Sequence, residues 1–168
     1  MNNWFLLGIV SLLSIWAGVC YAQVQSSAYR TMLKTLLSHT VPEMSIEQAK
    51  ALDPEQVYFL DAREAKEFQV SHLLGARPVG YDHFSMQSVE DIPRNARIVV
   101  YCSVGYRSEK VSEKLISAGY QQVSNLYGGI FEWVNQGNPL YNENGPTQQV
   151  HAYSRTWGMW LKKGEKVY

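Results

Sequence analysis

Cys102 and Arg107 stand five positions apart in the run Ile98-Val99-Val100-Tyr101-Cys102-Ser103-Val104-Gly105-Tyr106-Arg107-Ser108-Glu109. The apolar residues before Cys102 read as a buried strand, and the polar residues after Gly105 open a helix. A thiol is therefore delivered to the carboxyl end of a strand, where open α/β sheets bind their ligands. The residues Ser103 to Tyr106 are enough to curl the backbone into a cradle, and Gly105 supplies the permissive dihedral that a tight ring demands. Main-chain N–H groups, the positive end of the following helix and the Arg107 guanidinium all favour a negative charge at the centre. Cys102 is expected to be a thiolate and a nucleophile. The same donors would hold the outer sulfur of a persulfide, which is also an anion.

Two roles stay open for Arg107: counter-ion for an incoming oxyanion such as thiosulfate, or a tie between the loop and a neighbouring carboxylate. Ser108 reads as a helix-start cap and Tyr106 as a residue of the pocket mouth. His72 reads as a hydrogen-bonded spacer rather than a base. The spacing of His39, His83 and His151 suggests no metal site, and no cofactor is implied.

The elements that must position this loop alternate along the chain. Spacing of Ala28, Tyr29, Met32, Leu33, Leu36 and Leu37 predicts an amphipathic helix from about Ser27 to Ser38. Ser45-Ile46-Glu47-Gln48 reads as a capping box that starts a short helix ending before Pro54. Short apolar strands are then expected at Val57–Leu60, Ala76–Val79, Ile98–Tyr101 and Val123–Leu126. Helices are expected from about Arg107 to Ala118, stopped by Gly119, and from Ile130 to Gln136, stopped by Gly137. Such alternation argues for a parallel sheet covered on both faces.

Three segments in this frame carry a family pattern. They are Asp61-Ala62-Arg63 with His72-Leu73-Leu74-Gly75-Ala76, the cysteine loop Cys102 to Ser108, and Tyr127-Gly128-Gly129-Ile130 before the last helix. From about Ser45 to Leu140 the chain resembles the rhodanese family. The resemblance implies a rhodanese-like α/β fold, with a central parallel sheet of about four to five strands flanked by helices on both faces. It implies a sulfurtransferase in which Cys102 takes sulfur from a donor such as thiosulfate and passes it to cyanide or a thiol. By the same resemblance the backbone of Ser103, Val104, Gly105, Tyr106 and Arg107 cradles the sulfur, while Asp61 and Arg63 support the loop, as Ser108 is expected to do. Phosphatases and arsenate reductases of this fold carry a loop longer by one residue, so the shorter ring here points to sulfur. A carrier or sensor that accepts sulfur at Cys102 without turnover is the alternative of a different class.

Before this domain, Met1–Ala22 has no charged side chain, and Trp4 to Ala17 is an apolar run. The run reads as the core of a signal peptide over residues 1–22, cleaved after Ala22, with an uncleaved membrane anchor as the alternative. Export, into a bacterial periplasm, is the corresponding expectation. Removal of the leader takes Cys20 with it and leaves Cys102 as the lone thiol. Residues 23–44 read as an N-terminal helical segment, 45–140 as the rhodanese domain, and 141–168 as an extension packing on it. Trp157 and Trp160 in that extension are three apart and are expected to share a helical face, either covering the domain or meeting a protein partner.

The 168 residues suit one domain, and a hydrophobic content of 46% fills a core. Fifteen basic and fifteen acidic side chains cancel, so nothing in the charge balance points to nucleic acid. Small sulfur-containing donors and acceptors are the expected partners, and a monomer the expected state.

Overall fold

The computed structural model describes residues 24–168, so the leader expected over residues 1–22 lies outside the described residues. Five strands form a parallel sheet: β1 (Glu43–Met44), β2 (Val57–Asp61), β3 (Arg77–Pro78), β4 (Arg97–Tyr101) and β5 (Gln122–Leu126). Their order across the sheet is β1-β5-β4-β2-β3. Central β4 pairs with β2 from Val57↔Arg97 to Asp61↔Tyr101, and with β5 from Arg97↔Gln122 to Val100↔Asn125.

Strand alternation divides the core in two. Val99 and Tyr101 of β4 join one buried cluster, and Ile98, Val100 and Cys102 join the other. A strand buried on both faces must be apolar throughout, which is why β4 reads as an unbroken hydrophobic run. The cluster beneath Ile98 and Val100 is closed by Val111 and Leu115 of α4 (Tyr106–Ser117). The opposite cluster is filled by α1 (Ser27–Leu36), α2 (Ile46–Lys50), α5 (Gly129–Asn135) and the C-terminal segment. Helix α3 (Ala65–Val70) follows β2.

Local signals explain the helix boundaries. Ser26 caps α1 by accepting the Tyr29 N–H, and Ser45 forms the expected capping box with Gln48 at the start of α2. β1 lies inside the segment expected to be helical, and it adds an edge to the sheet through Glu43↔Asn125 and Met44↔Leu126. Two residues are too few to show a strand period.

The C-terminal segment departs from the expected helix. It forms a hairpin of β6 (Leu140–Asn142) and β7 (Gly145–Thr147), then a parallel pair of β8 (Gln149–His151) and β9 (Glu165–Val167). Between β8 and β9 only α6 (Arg155–Gly158) is helical. Tyr153 lies in left-handed backbone with φ 63°, which keeps any helix from starting before the Ser154 cap. Trp157 and Trp160 nonetheless both pack on the domain, and the Trp160 ring stacks on buried Tyr29 at 5.3 Å.

Candidate active site

β4 ends at Tyr101 and Cys102 follows at once, 1% exposed, where the chain turns away from the sheet. Its Sγ accepts the Gly105 N–H at 3.1 Å. Of the ring of donors expected from the sequence, this is the contact made to the sulfur. Gly105 takes φ 122° and is the N-cap of α4, so the helix begins directly behind the thiol with its positive end toward it. Ser103 and Val104 are buried beside Cys102, while Tyr106 is 41% exposed at the rim.

The loop is held from three sides. On the first, Asn125 of β5 donates from Nδ2 to the Gly105 carbonyl at 3.0 Å, and Ser108 Oγ donates to Asn125 Oδ1 at 2.7 Å. Ser108 is therefore not the helix cap that its position suggested. It is the third residue of α4, within the first turn, and ties the loop to the sheet. On the second side, the first turn of α5 grips the loop's carbonyls: Ile130 N–H donates to Cys102 O at 2.9 Å and Phe131 N–H to Ser103 O at 3.1 Å. Gly128 and Gly129 make that approach possible, both with positive φ. Buried Tyr29 of α1 donates its hydroxyl to the Gly128 carbonyl at 2.9 Å and fixes the turn.

The third support is ionic. Arg107 forms a two-pronged pair with Glu67 of α3, Nη1 to Oε2 at 2.7 Å and Nη2 to Oε1 at 2.8 Å. Glu67 also accepts from Ser103 Oγ and from the Glu64 N–H, so both of its oxygens are fully used. Burial pushes the Glu67 carboxyl up, but the Arg107 hydrogen bonds and charge outweigh it and hold the group below its ordinary range. Burial likewise acts to lower the Arg107 pKa, and Glu67 together with the Cys102 charge raises it above its usual value. Of the two roles open to Arg107, the tie to a carboxylate is the one formed.

Asp61 and Arg63 are both fully buried and bond to each other rather than to the sulfur. Arg63 donates from Nε to Asp61 Oδ1 at 2.9 Å, and from Nη2 to Asp61 Oδ2 and the Ser71 carbonyl, each at 2.6 Å. Burial works against the guanidinium charge, and Asp61 outweighs it and raises the Arg63 pKa. The pair staples the end of β2 to the residues after α3. His72 belongs to the same scaffold: its Nδ1 lies 3.0 Å from the Phe68 carbonyl, its ring stacks on Phe68, and its backbone pairs with Tyr141. Among the described residues, no group of three or more His, Cys, Asp or Glu could hold a metal ion.

Above Cys102 opens a cavity of about 230 Å³. Leu36 of α1, Val104, Tyr106, Tyr153 and Trp157 surround it, and Arg107 is the only charged side chain among the described residues lining it. The Arg107 guanidinium lies 5.1 Å from the centre of the Tyr153 ring. His151 positions that ring by accepting the Tyr153 N–H on Nδ1 at 3.1 Å, and burial lowers the His151 pKa, which keeps the accepting nitrogen free.

Sequence reasoning missed Glu67, Asn125, Leu36 and Tyr153 as site residues, and it placed Trp157 as a residue that covers the domain or meets a protein partner, not as part of the site. Glu67 gave one local signal, its place at the third position of α3. Its partner lies 40 residues on, and no periodicity reports such a pairing. Tyr153 gave none.

A buried thiol at the end of a central parallel strand, facing a helix N-terminus across the short turn Cys102–Gly105, defines a cysteine-loop protein of the α/β class. The description "Rhodanese-like domain" matches residues 45–136, and the chain belongs to that family. Among curated proteins it is similar to the tRNA uridine(34) hydroxylases of Pectobacterium carotovorum, at 39% identity over 93 residues, and of Listeria welshimeri, at 37% over 86. The first match covers 52% of this chain and 26% of the relative, so the chain corresponds to about a quarter of those proteins. Among solved structures, a thiosulfate sulfurtransferase from Pseudomonas aeruginosa superposes with a TM-score of 0.58 at 22% identity, over 79% of this chain and 26% of that one. A protein from Bacillus halodurans superposes at 0.55 and 22%, over 70% of this chain and 86% of its own. At such identities these likenesses speak for the fold alone, and they agree with the rhodanese-like α/β sheet expected from the sequence.

Proposed function

We propose that the protein is an exported sulfurtransferase that carries sulfur on Cys102. One observation supports this above the rest: the Cys102 sulfur accepts a main-chain N–H from its own loop, at a helix N-terminus, on the floor of an open cavity. That setting stabilises a sulfur anion before and after it gains a second sulfur.

The Cys102 thiolate attacks the outer sulfur of a donor. The bond from that sulfur to the rest of the donor breaks, and the leaving group departs with the electron pair, as sulfite when the donor is thiosulfate. Cys102 then bears a terminal sulfur anion. Cyanide or a thiolate attacks that terminal sulfur, the S–S pair returns to Cys102 as thiolate, and cyanide leaves as thiocyanate. The relatives' name speaks of tRNA, but the chain spans only a quarter of their length and its net charge is zero, which favours small sulfur compounds as partners.

The test is intact-mass analysis of protein treated with a panel of inorganic and organic sulfane donors, beside Cys102→Ser. The expected result is a gain of one sulfur atom in the natural protein, its release as thiocyanate on adding cyanide, and neither in the variant. Thiocyanate production that survives Cys102→Ser removes the nucleophile from this reading.

A further inference from the structure

We infer that the donor this site selects carries its sulfur on an apolar organic group, held by Tyr153 and Trp157, and is not an inorganic oxyanion. The inference rests on the sulfur-transfer reading above and adds the substrate class to it.

Thiosulfate presents a compact dianion with nothing apolar to bury. A site built for it needs cationic charge that is not already neutralised. Arg107 is the only charged lining residue of the described cavity, and Glu67 already engages it through two short hydrogen bonds. Glu67 is itself fully buried, so pulling Arg107 toward a donor would strand a carboxylate without its counter-charge. The Ser103 hydroxyl is engaged by Glu67 and Arg107, and the remaining wall, Leu36, Val104, Tyr106, Tyr153 and Trp157, rewards apolar contact and brings a dianion no further positive charge.

Two of these residues come from the C-terminal segment, outside the part of the chain that matches the family. The segment is fastened over the site: the backbone of Tyr141 bridges to His72, and Trp160 stacks on Tyr29. Tyr153 is set in left-handed backbone by the His151 acceptor, 51% exposed, with one face toward Arg107. A strained aromatic over the mouth of a reactive thiol needs a reason, and a donor's organic group resting on it supplies one.

Organic persulfides and organic thiosulfonates fit this class. With an arylthiosulfonate the Cys102 thiolate takes the outer sulfur, the S–S bond breaks, and the arylsulfinate leaves with the electron pair. Charge balances, with two anions on each side.

The experiment compares kcat/KM for benzenethiosulfonate, methanethiosulfonate and thiosulfate on the full chain, with cyanide as acceptor. The three share the same sulfur chemistry. The first two share one charge and differ in apolar bulk. In the natural protein benzenethiosulfonate is expected to lead and thiosulfate to trail. In Trp157→Ala and Tyr153→Asn the benzene-to-methane ratio is expected to fall about tenfold, because intrinsic leaving-group differences cancel between natural protein and variant. Asn tolerates left-handed backbone, so Tyr153→Asn decides the question should Trp157→Ala fail to fold. A ratio unchanged in Tyr153→Asn, or thiosulfate turned over faster than benzenethiosulfonate, overturns the inference and leaves sulfur transfer intact. Failure of every donor to load Cys102 removes sulfur transfer itself, and the inference with it.

Discussion

Gly129 stands so close to Cys102 that a Cβ placed on it would lie 2.4 Å from the Cys102 carbonyl oxygen and 2.7 Å from that of Ser103. Its backbone also has φ 57°, where L side chains are strained. The Gly-Gly turn is thus part of the active loop's support. It lets the N–H groups of Ile130 and Phe131 reach the two carbonyls that begin the loop.

Gly129→Ala is accordingly expected to harm activity more than folding. The methyl must push the Cys102–Ser103 backbone away by several tenths of an ångström or more, and small displacements of a nucleophile cost about a hundredfold in rate. Backbone strain adds about 1–3 kcal/mol of destabilisation. Thiocyanate formation measured beside thermal unfolding checks both. A variant with near-natural turnover would show that the loop tolerates being moved.

Ser108→Ala tests the sheet-side support. Ser108 is fully buried, and without its hydroxyl the Asn125 Oδ1 atom loses its donor inside the protein. An orphaned buried acceptor costs about 1–3 kcal/mol. Urea unfolding should show a loss of that size, and the loop should become more readily alkylated at Cys102 as Gly105 loosens.

Asp61 and Arg63 make a sharper prediction because both are wholly out of water. Asp61→Asn leaves a guanidinium whose charge has no partner, and breaking such a pair from one side costs about 3–5 kcal/mol. Changing both, Asp61→Leu with Arg63→Met, removes the buried charge altogether. The double variant is expected to lose less than Asp61→Asn alone, as read by urea midpoints at equal slope. A loss equal to or larger than that of Asp61→Asn would mean that the pair's hydrogen bonds, not its charge balance, hold the end of β2.

What could be read from the sequence follows a physical line. β4 was visible because burial on both faces demands Ile98-Val99-Val100-Tyr101, and α4 because Val111 and Leu115 repeat at helical spacing before Gly119. The cysteine loop was visible because its chemistry is contiguous. Local signals such as Ser45 with Gln48 were realised as expected. What stayed hidden is what the fold brings together from afar. The Glu67 to Arg107 pair, the Asn125 amide under Gly105, and the aromatic wall from Tyr153 and Trp157 depend on α3, β5 and the C-terminal segment converging on one loop. The short strands β1, β8 and β9 carry too few residues to show a period.

Glu67→Gln probes the ionic support through pH. Arg107 keeps Glu67 ionised to lower pH in the folded protein than in the unfolded chain, despite the upward push of burial. A carboxyl depressed by folding adds stability that is fully present above its unfolded pKa of about 4.3, and that drains away as pH falls through the folded value. At pH 7 the Gln variant, which leaves Arg107 without its buried counter-charge, should be about 3 kcal/mol less stable. As pH drops below the carboxylate range the natural protein loses this advantage, and the two unfolding free energies should converge. The variant also frees Arg107 to meet an anion, so thiosulfate should become a better donor relative to benzenethiosulfonate. Parallel stability curves from pH 7 down to the acid limit would show that the Glu67 carboxyl contributes nothing as a charge, and that its hydrogen bonds to Ser103 and Glu64 carry the support instead.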